Sequence, residues 1–265
     1  MDTIAFGKTD LRVSRLAFGT GTHGWAGRSE QTDLGPARLA DLLRQAYERG
    51  VTFWDLADQY GSHGAAARAL RDVPREEVMV ATKTTARSES RTRRDVDRFL
   101  RELEMDVIDI VLLHFMTRAD WPSSHAGAMA ALSQAQAAGK VRAVGVSCHG
   151  LGALRAAAET DWAEVVLARI NPAGVNMGAP PTEVVPLLEQ MHAAGKGVYG
   201  MKVLGCGQLA GRVREAIEYV LRLGVVHALA LGISSRDQLL ENVELVEALA
   251  PRHPVRQKTH HHTST

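Results

Sequence analysis

The chain reads as an α/β protein of the (β/α)8 TIM-barrel class, preceded by an N-terminal β-hairpin. Three observations predict this. Short apolar runs alternate with longer segments whose apolar residues recur every three or four positions, and there are eight of each. Several helical segments end in glycine just before the next apolar run, at Arg49-Gly50, Ala138-Gly139, Ala194-Gly195 and Leu223-Gly224, where a left-handed C-cap is expected. The length, 265 residues, suits a fold that typically needs about 250. An open, doubly wound sheet would alternate in the same way, and the count of eight is what favours closure.

The hairpin comes first. Residues 3–6 and 11–13 alternate apolar and polar around Gly7-Lys8-Thr9-Asp10, a turn composition. Barrel strands are expected at 16–19, 52–54, 78–81, 108–113, 143–146, 165–168, 198–201 and 228–231. Helices are expected at 36–49, 64–71, 91–103, 126–138, 151–159, 182–194, 213–223 and 236–249. One barrel domain is expected over residues 1–250. Residues 251–265 include Pro251, Pro254 and His260-His261-His262 and lack apolar periodicity, so a poorly ordered tail is expected there.

Composition narrows the function. Hydrophobic residues make up 45% and charged residues 23%, enough for a large core. Lys plus Arg number 31 against 30 for Asp plus Glu, so no basic surplus points to nucleic acid or an anionic membrane. No apolar run approaches the roughly 20 residues that span a bilayer, and the N-terminus lacks signal-peptide character. Cys148 and Cys206 make no disulfide framework. A cytoplasmic protein acting on small molecules is the expectation, and its oligomeric state is not written in these features.

In such barrels the working residues sit at the C-terminal ends of the strands. The second barrel strand ends at Asp55, in Phe53-Trp54-Asp55-Leu56-Ala57-Asp58-Gln59-Tyr60-Gly61, with Tyr60 close behind. The third ends at Lys83 and the fourth at His114. Each residue alone has an ordinary explanation: a turn carboxylate, a snorkelling lysine, a core histidine. In register, four polar residues from three consecutive strands face one mouth.

These residues carry a resemblance. Asp-x-Ala-x-x-Tyr-Gly, then Thr82-Lys83, then Leu112-Leu113-His114 resemble the aldo-keto reductase family. The likeness runs from the hairpin to Asn242 and includes Gly139-Lys140-Val141-Arg142-Ala143-Val144-Gly145-Val146-Ser147, similar to that family's fifth-strand signature. It implies hydride transfer between a nicotinamide cofactor, NADP(H) in preference to NAD(H), and an aldehyde, ketone or alcohol, with Asp55, Tyr60, Lys83 and His114 as the catalytic set.

The chemistry accounts for these residue types. A carbonyl that accepts hydride needs a proton, and a phenol with an unperturbed pKa of about 10 is a poor donor. An ammonium at Lys83 would lower that value, Asp55 would keep Lys83 charged, and His114 would orient and polarise the carbonyl. Gly19-Thr20-Gly21-Thr22-His23-Gly24 fits G-x-G-x-x-G after a strand, but no helix opens behind it, so the open-sheet dinucleotide fingerprint is not supported. Loops after the last two strands often bind phosphate in barrels. By resemblance, Gly19, Thr20, Ser147, Cys148, Met201, Lys202, Leu204, Gly205 and Gly207 would hold the nicotinamide and pyrophosphate. Ser234, Ser235 and Arg236 would meet the ribose or its 2′-phosphate, and Glu241 and Asn242 the adenine. Trp25, Trp54 and Phe115 are the substrate-side candidates, and no metal is expected.

The chain departs from the family at the nicotinamide. Cys148 stands where Asn is usual, Leu167 where Gln is usual and Met201 where an aromatic stacks, with Arg169 and Lys202 as possible substitute donors. Leu56 replaces a usual Thr. The loops after the first and fourth barrel strands read as short, which predicts an open pocket. Two other readings stay open: a cofactor-sensing regulatory barrel with weak catalysis, and a metal-dependent hydrolase using His23, His63, His114, His149 and Asp55.

Overall fold

In the computed structural model, which describes residues 1–250, β1 (Thr3–Ala5) and β2 (Arg12–Ser14) pair antiparallel as the expected hairpin. Eight parallel strands follow and close on themselves: β3 (Leu16–Gly19), β4 (Phe53–Asp55), β5 (Met79–Thr84), β6 (Ile108–Met116), β7 (Val141–Cys148), β8 (Val165–Arg169), β9 (Gly197–Met201) and β10 (Ala228–Gly232). Closure is between the first and last, with Gly19 opposite Gly232. The helices around this barrel are α1 (Pro36–Glu48), α2 (His63–Leu70), α3 (Glu89–Leu103), a short α4 (Trp121–Ser124), α5 (Ala126–Ala137), α6 (Leu151–Glu159), α7 (Pro181–Ala193), α8 (Val213–Arg222) and α9 (Arg236–Leu249). The tail expected at 251–265 lies outside the described residues.

Local chemistry sets the boundaries. Pro36 opens α1, where a missing N–H costs nothing. Gly50, at φ +76°, ends the same helix by donating its N–H to the Tyr47 carbonyl at 2.8 Å. Ser235 caps α9, its Oγ accepting from the Gln238 N–H at 3.2 Å. Strands β5, β6 and β7 run further than expected because pairing continues past their apolar centres and carries Lys83, His114 and Ser147 to the mouth.

Alternation along each strand divides the core in two. Leu16, Phe18, Trp54, Val80, Val111 and Leu113 face the helices, while Ala17, Phe53, Ala81, Ile110, Leu112, Leu167 and Tyr199 fill the barrel. Phe6, Leu11 and Val13 of the hairpin join the inner cluster and form its floor. Phe6 meets the rings of Phe53 at 5.7 Å and Tyr199 at 6.0 Å, and those two are 5.1 Å apart.

The same parity corrects two assignments. Trp54 is fully buried on the helix side, its Nε1 donating to the Val51 carbonyl at 3.2 Å, so it is a core residue and not a substrate contact. Cys148 also points outward, its Sγ directed at the Ala153 carbonyl at 3.6 Å, and does not reach the mouth. The loop after β3 is not short: residues 20–35 carry a 3-10 turn at Thr32–Leu34 and fold over the mouth.

Candidate active site

The floor of the mouth is an ion pair. Lys83 on β5 is fully buried, and its ammonium sits 2.8 Å from Asp55 Oδ1 on β4 while donating to the Leu56 carbonyl at 2.7 Å. Asp55 Oδ1 also accepts from the Tyr199 hydroxyl on β9 at 2.8 Å. Burial lowers the Lys83 pKa, and the Asp55 carboxylate opposes that fall. Burial, with the Asp55 charge behind it, raises Tyr199 well above the phenol range, so this phenol is a fixed donor to the carboxylate. Tyr199 was missed by sequence reasoning. Its signal was its position two residues before Met201, which puts both on the inner face of β9.

Above the floor stand Tyr60 and His114, with Tyr60 OH 3.3 Å from His114 Nε2 and their rings nearly perpendicular at 5.5 Å. Tyr60 ends the 3-10 turn Asp58–Tyr60, which Gly61 closes at φ +69° and Arg98 anchors by an ion pair to Asp58 at 2.7 Å. Lys83 Nζ lies 5.1 Å from the Tyr60 ring centroid. The loop after β3 holds the phenol from the other side. Gly21 and Gly24 lie so close to opposite ring edges that a Cβ on either would overlap Tyr60. Thus the G-x-G-x-x-G pattern serves the tyrosine. Thr20 ties the same loop down, its hydroxyl donating to the Asp55 carbonyl at 3.0 Å and pairing with Ser62 Oγ at 2.9 Å.

The protonation states differ from the sequence expectation in one respect. Tyr60 is raised above its usual pKa by burial and then by the Asp55 carboxylate, not lowered by Lys83. The phenol therefore keeps its proton. Burial, followed by the Lys83 and Lys202 charges, pushes His114 down to about 3 and keeps it neutral. Its Nδ1 is buried without a partner.

Two clefts meet at this pair. One, of about 370 Å³, is bordered by His114, Trp25, Phe115, Thr85 and Arg87. Trp25 and Phe115 are 52% and 45% exposed, with ring centroids 5.8 Å apart, as substrate-side residues would be. A register shift in β6 between Leu113 and Met116, with Phe115 at φ +68°, turns Phe115 into this cleft beside His114. The other cleft, of about 310 Å³, runs from Asp55 and Tyr60 past Leu167 and His149 to the loops after β9 and β10.

Of the residues expected to hold a cofactor, Gly19, Met201, Lys202, Leu204, Gly207 and Ser234 line this second cleft. Thr20, Ser147 and Gly205 are buried behind it. Ser235 is spent as a helix cap, and Arg236 faces a separate depression beside Gln45, Glu48 and Arg49. Glu241 and Asn242 lie further along α9 and do not line the cleft. Lys202, at φ +59°, is held through its carbonyl, which accepts from Asn171 Nδ2 at 3.1 Å and the Gly205 N–H at 2.8 Å, while its ammonium has no hydrogen-bond or ion-pair partner among the described residues. A Cβ on Gly207 would meet nothing within 4 Å. An elongated cleft with open backbone and an uncommitted ammonium fits a nucleotide cofactor.

The hydrolase alternative finds no ligand cluster. His63 is held between Thr82 Oγ1 and Glu102 Oε2, each at 2.7 Å, and His23 pairs with Glu30 at 2.6 Å. Among the described residues no group of three or more His, Cys, Asp or Glu is placed to hold a metal ion. Nor is any of the described helices long and apolar enough to cross a membrane.

The model of the aldo/keto reductase family matches residues 15–220, which spans β3 to α8 and every residue of the mouth described above except those of the β10 loop. The chain belongs to the aldo/keto reductase family. It is 25% identical to an L-galactose dehydrogenase of Arabidopsis thaliana over 92% of its own length and 88% of that protein's. An NADH-specific methylglyoxal reductase of Escherichia coli is 28% identical, over 56% of this chain and 52% of the other. The solved structure of an aldo-keto reductase described as putative, from Pseudomonas aeruginosa, superposes with a TM-score of 0.78 at 25% identity, over 93% of this chain and 94% of that one. The family places the chain among nicotinamide-linked oxidoreductases.

Proposed function

We propose that this aldo-keto reductase interconverts an aldehyde or ketone and its alcohol, with Tyr60 as the proton donor. The observation that carries this is the Tyr60–His114 pair, 3.3 Å apart, at the junction of two clefts and above a buried Lys83–Asp55 ion pair. A nicotinamide cofactor in the second cleft would supply or accept the hydride.

The protein's own groups do the rest. A carbonyl oxygen seated between Tyr60 OH and His114 Nε2 is within hydrogen-bond reach of both. Neutral His114 can donate through Nε2 to the oxygen on which charge develops, without giving up its proton. Tyr60 then delivers its proton to that oxygen. The Lys83 ammonium near its ring stabilises the phenolate that remains, and Asp55 fixes the ammonium in place. Trp25 and Phe115 flank the substrate side and limit water there.

The expectation of NADP(H) rested on Arg236. Its placement in a separate depression removes that support, and the cleft suits NADP(H) or NAD(H). Intrinsic tryptophan fluorescence titrated with NADH and NADPH, alongside reduction of a panel of small aldehydes and ketones, tests the proposal. A second reading, a cofactor-sensing barrel with weak catalysis, is favoured by the outward-facing Cys148 and the apolar Leu167 at the nicotinamide end. Tight cofactor binding with no carbonyl in the panel reduced would select it.

A further inference from the structure

Arg87 stands at the substrate-side cleft with no partner for its charge. It follows β5 in the loop that leads to α3, and its backbone is fixed there. The Arg87 carbonyl accepts from the Ala128 N–H at 3.1 Å, and the Ala86 N–H before it donates to Thr84 Oγ1 at 3.0 Å. The side chain is exposed, borders the cleft, and its guanidinium makes no hydrogen bond or ion pair among the described residues.

The carboxylates around it are committed elsewhere. Glu89 pairs with Arg93 at 2.7 Å, and Asp120 is gripped by Arg118, with Nε on Oδ1 and Nη2 on Oδ2 each at 3.1 Å. Arg87, Arg118 and Asp120 are the charged residues that border the cleft, so it carries one uncompensated positive charge. An exposed arginine by itself is an ordinary surface residue. This one borders the cleft that His114 also borders, where the carbonyl is seated in the reading above.

A second group points the same way. His125 is 6% exposed and lines the cleft, with Nδ1 3.0 Å from Ser124 Oγ and Nε2 without a partner among the described residues. Burial, then the Arg87 charge, lowers the His125 pKa, so the ring is neutral and within electrostatic reach of that guanidinium. The Ser124 hydroxyl can donate to Nδ1, which leaves the ring proton on Nε2 for a ligand. A fixed cation beside a spare imidazole donor suits an oxyanion, and the guanidinium fork matches carboxylate and phosphate alike. At about 370 Å³ the cleft is near the lower end of small-molecule sites, about 300–1,000 Å³, so the compound is small.

We propose that the substrate carries an oxyanion, carboxylate or phosphate, at the end away from its carbonyl, and that Arg87 and His125 select it. This rests on the carbonyl-reduction reading above and narrows its substrate class. The contact is made alike in the ground and transition states, so it acts on KM more than on kcat. It is made in an open cleft, so it is modest and weakened by salt.

Two substrate pairs test this: 4-oxobutanoate against its methyl ester, and glyceraldehyde 3-phosphate against glyceraldehyde. The first pair reads a carboxylate and the second a phosphate, each by the ratio of kcat/KM for the anion to that for its neutral partner. Wild type is expected to favour at least one anion by about tenfold or more. Arg87→Ala should lower that ratio by about tenfold through KM, Arg87→Glu should lower it further, and Arg87→Lys should keep part of it. His125→Phe should lower it by about threefold, and an unchanged ratio there removes the histidine from the site. Ratios near one in both pairs, or a preference that survives Arg87→Ala, overturn the oxyanion site and leave carbonyl reduction standing. Should folded wild-type protein reduce neither these compounds nor the wider carbonyl panel, intrinsic fluorescence titrated with the same four decides. Binding of an anion that depends on Arg87 then keeps the site while carbonyl reduction fails, and the absence of such binding overturns both.

Discussion

Gly21 lies against one edge of the Tyr60 ring, where any side chain would overlap Cε2 and Cζ. With Gly24 on the opposite edge, the loop after β3 grips the phenol on both sides. Gly21→Ala is expected to displace the ring, lowering kcat by about 10²-fold, because misplacing a reacting group by about 1 Å costs that much. Stability should fall by about 1–3 kcal/mol from overpacking. Steady-state kinetics and urea unfolding check both, and unchanged kcat would remove the loop's role.

Tyr60→Phe keeps the ring in its clamp and removes only the hydroxyl. Carbonyl reduction should fall by about 10²–10⁴-fold. Cofactor affinity by fluorescence should stay within about twofold. Full activity in this variant would assign the proton to another group.

Asp55→Asn leaves a fully buried ammonium at Lys83 without its counter-charge. Removing one partner of such a pair is expected to cost about 3–5 kcal/mol of unfolding free energy. Asp55→Asn combined with Lys83→Met should recover much of that stability without recovering turnover. Denaturant midpoints of the single and double variants make the comparison.

Stability should fall in mild acid. Because folding pushes His114 down to about 3 from its usual 6.5, the unfolded chain takes up a proton that the folded protein refuses. The contribution is complete above about pH 6.5 and is lost as pH drops toward 3, with a slope approaching about 1.4 kcal/mol per pH unit. Between pH 6.5 and 4 that amounts to about 3 kcal/mol. His114→Asn should show a shallower decline in urea midpoint over the same range, and an equal decline would place the linkage elsewhere.

Arg236→Ala tests the nucleotide end. Since Arg236 faces a depression beside Glu48 and Arg49, the ratio of NADPH to NADH affinity should change by less than about twofold. A tenfold loss for NADPH alone would bring Arg236 back to the 2′-phosphate.

Much of this molecule was legible in its sequence. Periodicity and glycine caps located eight strands and eight helices, because a barrel repeats one local rule eight times. That Asp55, Tyr60, Lys83 and His114 come together was legible because strand ends map to one mouth. Trp54 and Cys148 were misread although parity would have placed them: if Asp55 and Ser147 face inward, their neighbours face the helices. The clamp on Tyr60, the Tyr199 hydroxyl and the Arg169–His149 contact depend on closure. They join residues 20 to 144 positions apart, and no local pattern reports such pairs. The burial that keeps Tyr60 protonated was hidden for the same reason.

Phe6, Phe53 and Tyr199 make one packed column from the hairpin floor to the carboxylate of Asp55. The opening residues of this chain are thus mechanically joined to the proposed reaction centre from the far end of the barrel. Trimming the hairpin, or fusing a carrier that pulls Phe6 from its seat, would loosen Tyr199 and free the carboxylate to rotate. Anyone tagging or shortening this end would be tuning turnover.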